Sequence, residues 1–187
     1  MNPSHILSFV AALPLLAVGC ATNASGALPG AEPLTAVESF EIQRYLGTWY
    51  EIAKYPVSFE RGLVGVQADY SLRGDGDVRV VNSGYKKTFS GPRSSAEGRA
   101  WVPDPAEPAK LKVRFFWPFS APYWVIALDP KYEWAVVGDP GRRYLWILSR
   151  SKTLPDPLYD EIVSRIHELG YDTSRLEMMP QKRDEAP

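Results

Sequence analysis

The chain has 187 residues, 45% of them hydrophobic and 12% aromatic, which is enough to bury one substantial core and too short to ask for a second domain. Lys and Arg number 21 against 22 for Asp and Glu, with no long run of one sign, so the charge balance argues against nucleic acid and against a purely electrostatic hold on an anionic surface. The 17 prolines and 14 glycines suit many short strands joined by turns better than a helical bundle.

The first nineteen residues carry no Lys, Arg, Asp or Glu, and Ile6 to Val18 form an apolar stretch too short to span a bilayer as a mature helix. Residues 1–19 therefore read as a signal peptide. The following Leu16-Ala17-Val18-Gly19-Cys20 resembles a bacterial lipoprotein signal, which implies a diacylglycerol on the Cys20 thiol and Cys20 as the mature N-terminus. As the chain's one cysteine, Cys20 also rules out an intramolecular disulfide. From residue 20 to residue 39 the composition is rich in Ala, Gly, Ser, Thr and Pro without periodic apolar spacing, which predicts a flexible tether with a mean reach of roughly 25 Å.

Residues 40–180 predict one all-β domain. Strand signals fall at Thr48 to Ala53, Val66 to Leu72, Val78 to Tyr85, Glu97 to Val102, Leu111 to Trp117, Tyr123 to Leu128, Trp134 to Val137 and Tyr144 to Leu148. Turn-forming clusters such as Arg73-Gly74-Asp75-Gly76-Asp77 and Asp139-Pro140-Gly141 link sequence neighbours, so the expected architecture is an eight-stranded antiparallel up-and-down β-barrel. Such a barrel either fills with side chains or holds one small ligand. Asp156 as N-cap, Pro157 in the first turn and Gly170 as a stop predict a C-terminal helix. Its Leu158, Ile162, Ile166 and Leu169 share one face, which should pack on the barrel's outside. Arg175 to Met179 can pair beside the first strand, and Gln181 to Pro187 (residues 181–187) read as a disordered polar tail.

Two segments mark the ends of the barrel. Gly47-Thr48-Trp49 opens the first strand, and Tyr144 to Arg150 forms the last. An indole from the first strand, capped by the Arg150 guanidinium, can plug one end by cation–π stacking, with Gly47 leaving room for the approach. These residues, with Val125 to Tyr132 and Trp134 to Gly138 in order between them, resemble the lipocalin family, and its bacterial outer-membrane lipoprotein members in particular. The resemblance covers roughly Phe40 to Met179. It implies a lipocalin-type barrel with Gly47, Trp49 and Arg150 as its floor, and an amphipathic lipid ligand such as a fatty acid or lysophospholipid. It also implies an outer-membrane, lipid-anchored location; Ala21 after Cys20, in place of the aspartate that retains enteric lipoproteins at the inner membrane, leans the same way.

Catalytic parts are few. The only histidines are His5, in the leader, and His167, on the predicted helix, and no His/Cys cluster has zinc spacing, so neither a metal nor a cofactor is expected. Glu51 and Asp69 are acids that could face a cavity, or could serve as a solvated rim or a structural ion pair. An enzyme on this fold would act through them; a barrel packed solid would be a ligand-free scaffold. For binding, parity with Arg150 turns Tyr144, Trp146 and Leu148 inward. Trp146 offers an apolar face with an N–H donor to a ligand, or packs the core. Phe115, Trp117 and Tyr123 are ligand candidates by aromatic density, and Phe59 with Leu63 sits on the loop after the first strand, where they gate a cavity or pack its rim. The apolar loop around Trp117 admits a lipid tail or makes a homodimer contact.

Overall fold

In the computed structural model, which describes residues 27–182, the alternating runs form eight long strands. They are β1 (Gly47–Lys54), β2 (Leu63–Leu72), β3 (Val78–Lys86), β4 (Arg93–Trp101), β5 (Lys110–Phe116), β6 (Phe119–Leu128), β7 (Trp134–Gly138) and β8 (Leu145–Ser149). Each is antiparallel to the next, and β1 pairs with both β8 and β2, which closes the sheet and leaves no exposed edge. A short β9 (Glu177–Met178) adds beside β1 at Ala53 and Lys54, inside the stretch that the sequence assigned to it.

Alternation explains most of these strands. In β3 Val78 and Val80 are buried and Arg79 between them is exposed. β7 departs from the pattern, with all five residues buried, because the helix α2 (Asp156–Glu168) covers its outer face while the barrel covers the inner one. Two apolar clusters result. One fills the lower barrel around Trp49, Tyr45, Tyr70, Val125 and Tyr132; the other lies between the wall and α2, where Ile162 and Ile166 are fully buried against Ile52, Ile126 and Ile147.

The helix begins one residue before the sequence placed it, with Pro155 as N-cap and Asp156 inside the first turn. Asp156 makes no cap hydrogen bond there; its charge faces the positive end of the helix dipole, and Pro157 gives up an N–H that has no intrahelical partner anyway. Gly170, at a left-handed φ of 81°, ends the helix as expected.

Both termini of the described chain are held more firmly than their composition suggested. Residues 27–39 are not a free tether. Ala27 bridges to Tyr171, the Leu28 amide donates to Gly170 O, Arg142 Nη2 donates to Glu32 O and the Val37 amide donates to Val125 O. Leu34 is buried between the wall and α2, so a few apolar residues spaced among Gly, Ser and Pro suffice to dock the segment. At the other end Gln181, expected in the disordered tail, donates its Nε2 to Glu51 O and to Val66 O. β1 and β2 pair only from Gly47 to Tyr50 and then diverge, and residues 179–181 occupy the gap, with the Met179 amide donating to Ile52 O and the Gly65 amide to Pro180 O. The signal peptide, Cys20 and residues 183–187 lie outside the described residues.

Candidate functional site

At the floor of the barrel Trp49 and Arg150 come together. Trp49 is wholly buried, and the Arg150 guanidinium carbon lies 3.9 Å from its ring centroid. The same guanidinium donates to the carbonyls of Arg44, Leu46, Thr48 and Tyr132, a fork that ties the short helix α1 (Ile42–Tyr45), the start of β1 and the β6–β7 turn together. The Trp49 indole donates to Tyr45 O at 2.7 Å. Gly47 serves a different purpose from the one expected. A Cβ there would stand 3.4 Å from Arg150 Nη1, an ordinary contact, so room is not what requires glycine; the φ of 95° is.

Above the floor three tyrosines meet. Tyr123 OH is 2.8 Å from both Tyr45 OH and Tyr70 OH, and burial raises all three, which keeps them as neutral phenols. Over them opens a cavity of about 510 Å³, within the range of roughly 300–1,000 Å³ typical of small-ligand sites, so the barrel is not packed solid. Its mouth is at the end away from Trp49, framed by the β1–β2 loop, the β5–β6 hairpin and the β7–β8 turn.

Tyr144, Trp146 and Leu148 all line the cavity, as parity required, and Tyr144 stacks on Trp146 with centroids 5.9 Å apart. Phe115, Tyr123, Phe59 and Leu63 line it too. Trp117 does not. It sits in the turn between β5 and β6, where alternation no longer points a side chain inward, and is 82% exposed beside Phe116 and Phe119 at 75% and 77%. Those two neighbours reach the cavity's rim, on the apolar loop around Trp117 that the sequence placed there.

The acids divide. Asp69 is held by Thr48 Oγ1 at 2.6 Å and Gln67 Nε2 at 3.0 Å and takes no part in the cavity. Glu51, 3% exposed, lines it. The loop after β1 folds inward through a 3-10 turn at Ser58–Glu60 and brings Glu60, also buried, to Glu51. Burial pushes the Glu51 carboxyl well above the ordinary glutamate range; the charge of Glu60 adds to this, and Lys54 only partly opposes it. Burial raises Glu60 as well, against the pull of Lys54, whose Nζ is 3.3 Å from Glu60 Oε2, and of the Trp146 indole. Asn82 on β3 also faces this space; its inward direction follows from Val78 and Val80 by period two, a signal present in the sequence, whereas nothing in the loop pattern marks Glu60. His167 is exposed on α2, outside the barrel.

Residues 40–181 match the family described as the lipocalin-like domain. The chain is a lipocalin. Among curated proteins, this lipocalin is 44% identical to outer membrane lipoprotein Blc of Escherichia coli K12, over 87% of its own length and 93% of the relative. It is 40% identical to the Blc protein of Vibrio cholerae, over 87% and 95%, and 39% identical to temperature-induced lipocalin-1 of Arabidopsis thaliana, over 79% and 83%. Among solved structures, insecticyanin from the tobacco hornworm Manduca sexta superposes with a TM-score of 0.62 at 23% identity, covering 85% of the lipocalin and 88% of that chain. Lobster apocrustacyanin A1 superposes with a TM-score of 0.61 at 19% identity, over 82% and 92%. These two share the fold.

Proposed function

We propose that this lipocalin is a lipid-anchored protein of the outer membrane that holds an amphipathic lipid, such as a fatty acid or lysophospholipid, for lipid storage, transport or membrane maintenance. The observation that carries the proposal is an open, aromatic-walled cavity whose lining is mostly apolar with a few polar side chains among it, a form suited to an amphipathic ligand with an apolar chain. The likeness to Blc proteins, named outer membrane lipoproteins, supports the location. No histidine or cysteine stands in the cavity wall among the described residues, which supports binding over catalysis.

The path of the chain supports an orientation. Ala27 and Glu32 lie against Tyr171 and Arg142, at the β7–β8 end of the barrel, which is the mouth end; the segment then runs down to Phe40 at the floor. Cys20 precedes Ala27 by seven positions, a reach of at most about 25 Å. An acyl anchor on Cys20 would therefore hold the mouth, with its exposed Phe116, Trp117, Phe119 and Phe59, toward the lipid surface. Replacing Phe116, Trp117 and Phe119 with serine is expected to weaken binding of the unacylated protein to phospholipid vesicles several-fold, measured by co-sedimentation. Loss of a dimer on gel filtration with vesicle binding unchanged would instead assign this face to a second copy of the chain.

The binding reading is tested by extracting lipid from the purified protein and by titrating lysophospholipid while following tryptophan fluorescence, since Trp146 stands in the wall. Quenching is expected, together with a rise in melting temperature that grows with ligand concentration. No quenching and no protection would remove the lipid site.

A further inference from the structure

The whole chain is nearly neutral, at a net charge of −1, yet its charges are sorted along the barrel axis. Residues 78–96 and 108–128 contain no Asp or Glu, and they carry the β3–β4 tip and the entire β5–β6 hairpin to the mouth. Lys86, Lys87 and Arg93 stand exposed around the first tip; Arg114, half-buried, precedes Phe116 by two residues at the second. The floor-end turns carry the opposite sign. Asp75 and Asp77 follow β2, Asp104 and Glu107 follow β4, and Asp129 and Glu133 bracket the turn after β6, against Arg73 and Lys131. A protein so divided turns its open end toward a negative surface.

The acids of the mouth do not cancel this charge. Glu60 and Asp139 are both buried, the first 3.3 Å from Lys54 Nζ and the second 3.3 Å from Arg143 Nε, where it also accepts from the amides of Gly141, Arg143 and Tyr144. Glu32, Glu168, Asp172 and Glu177 belong to the terminal segments and α2, which lie against β1, β7 and β8, on the side of the barrel opposite β4. Among the described residues no carboxylate pairs with Lys86, Lys87, Arg93 or Arg114. The Lys87 amide donates to Gly62 O at 2.7 Å, which seats the basic tip on the loop that frames the mouth.

The same tips expose aromatic rings, Phe116, Trp117 and Phe119 on one and Phe89 on the other. Aromatic rings seek the level of lipid head groups, and apolar side chains of a surface-bound element enter a bilayer by about 5–10 Å. Arg114 lies roughly 7 Å behind Phe116 along the strand, so rings that enter the bilayer leave the cations beside the phosphates. Resting on the reading of the mouth as the face turned to lipid, we propose that the β3–β4 and β5–β6 tips form a docking surface for anionic phospholipid bilayers, with Lys86, Lys87, Arg93 and Arg114 meeting the negative head groups. The rings give entry into any bilayer; the cations give preference for a charged one and orient the cup before contact.

The unacylated chain from Cys20 onward, which keeps every described residue, is co-sedimented with vesicles of phosphatidylcholine alone or with about one third phosphatidylglycerol. Binding to the phosphatidylglycerol vesicles is expected to be tighter by about ten-fold or more in about 0.05 M salt. That preference should shrink in about 0.5 M salt, where the screening length falls to a few Å. Two pairs of substitutions change the net charge equally. Lys86→Gln with Lys87→Asn, the latter suited to a φ of 68°, should lower affinity for the phosphatidylglycerol vesicles about ten-fold and leave phosphatidylcholine binding as it was. Each basic residue near such a surface is worth up to about five-fold. Arg73→Gln with Lys131→Gln, at the floor, should leave both affinities within about two-fold. Equal loss from the two pairs would overturn the proposal, because net charge and not the mouth would then set the preference. Equal affinity for the two vesicle types, independent of salt, would overturn it as well and leave the aromatic face as a lipid contact. Binding to neither vesicle would remove the docking surface together with that orientation, while lipid held in the cavity would stand apart from both. A dimer that the mouth pair dissociates, with vesicle binding unchanged, would give the face to a second copy of the chain.

Discussion

Trp49→Ala is expected to lower the melting temperature by roughly 10 °C or more, the largest single loss available in this barrel. A buried Trp truncated to Ala costs about 3–5 kcal/mol, and in a domain of this size each kcal/mol shifts the midpoint by about 2–4 °C. Here the loss exceeds packing, because the indole is the surface on which the Arg150 guanidinium lies at 3.9 Å and the donor to Tyr45 O. Arg150→Lys keeps the charge but has no planar fork to serve the carbonyls of Arg44, Leu46, Thr48 and Tyr132 together. That variant should lose about 2–3 kcal/mol. Combining the two should cost less than the sum by about 1 kcal/mol, since the second change has no stacked pair left to break. Thermal unfolding followed by circular dichroism checks all three. Additive losses would show that the indole and the guanidinium act independently.

The second large effect concerns pH. In the folded protein Glu51 holds its proton well above the ordinary glutamate value of about 4.3, through burial first and the charge of Glu60 second. Above that ordinary value the unfolded chain has released the proton and the folded chain has not, so the folded state binds more protons and stability falls as pH rises. The contribution is fully present below the ordinary glutamate value and is lost as pH climbs through the raised folded one. The slope reaches about 1.4 kcal/mol per pH unit for one proton. Urea unfolding between pH 5 and 8.5 should show the native sequence weakening with pH and Glu51→Gln nearly flat, with the variant the more stable of the two at the alkaline end. A native stability that rises across this window would mean that Glu51 is ionised and that Lys54 dominates the cluster.

What the sequence made legible follows from where periodicity operates. Tyr144, Trp146 and Leu148 could be turned inward from the position of Arg150 alone, because β8 is regular and the parity of a strand has only two states. Trp117 was chosen on aromatic density alone and failed, since it lies one residue past the end of β5, where a turn carries no parity to direct it. Glu60 was beyond reach for a related reason: a loop residue becomes buried only because the whole segment after β1 folds inward, and no local pattern encodes that path. The docking of residues 27–39 was hidden by composition. Leu34, Ala36 and Val37 are too sparse to register as an element, yet each joins one of the two apolar clusters, and the Val37 amide bonds Val125 O far along the chain.

The bridge that Gln181 makes between Glu51 O and Val66 O bears on how the cup comes to be sealed. Its side wall has a slit where two neighbouring strands part, and residues 179–181 stop it. The seal on that flank thus hangs on a few main-chain bonds and one amide side chain in place of a full ladder, so the cup is weakest beside the glutamate pair and not at its floor.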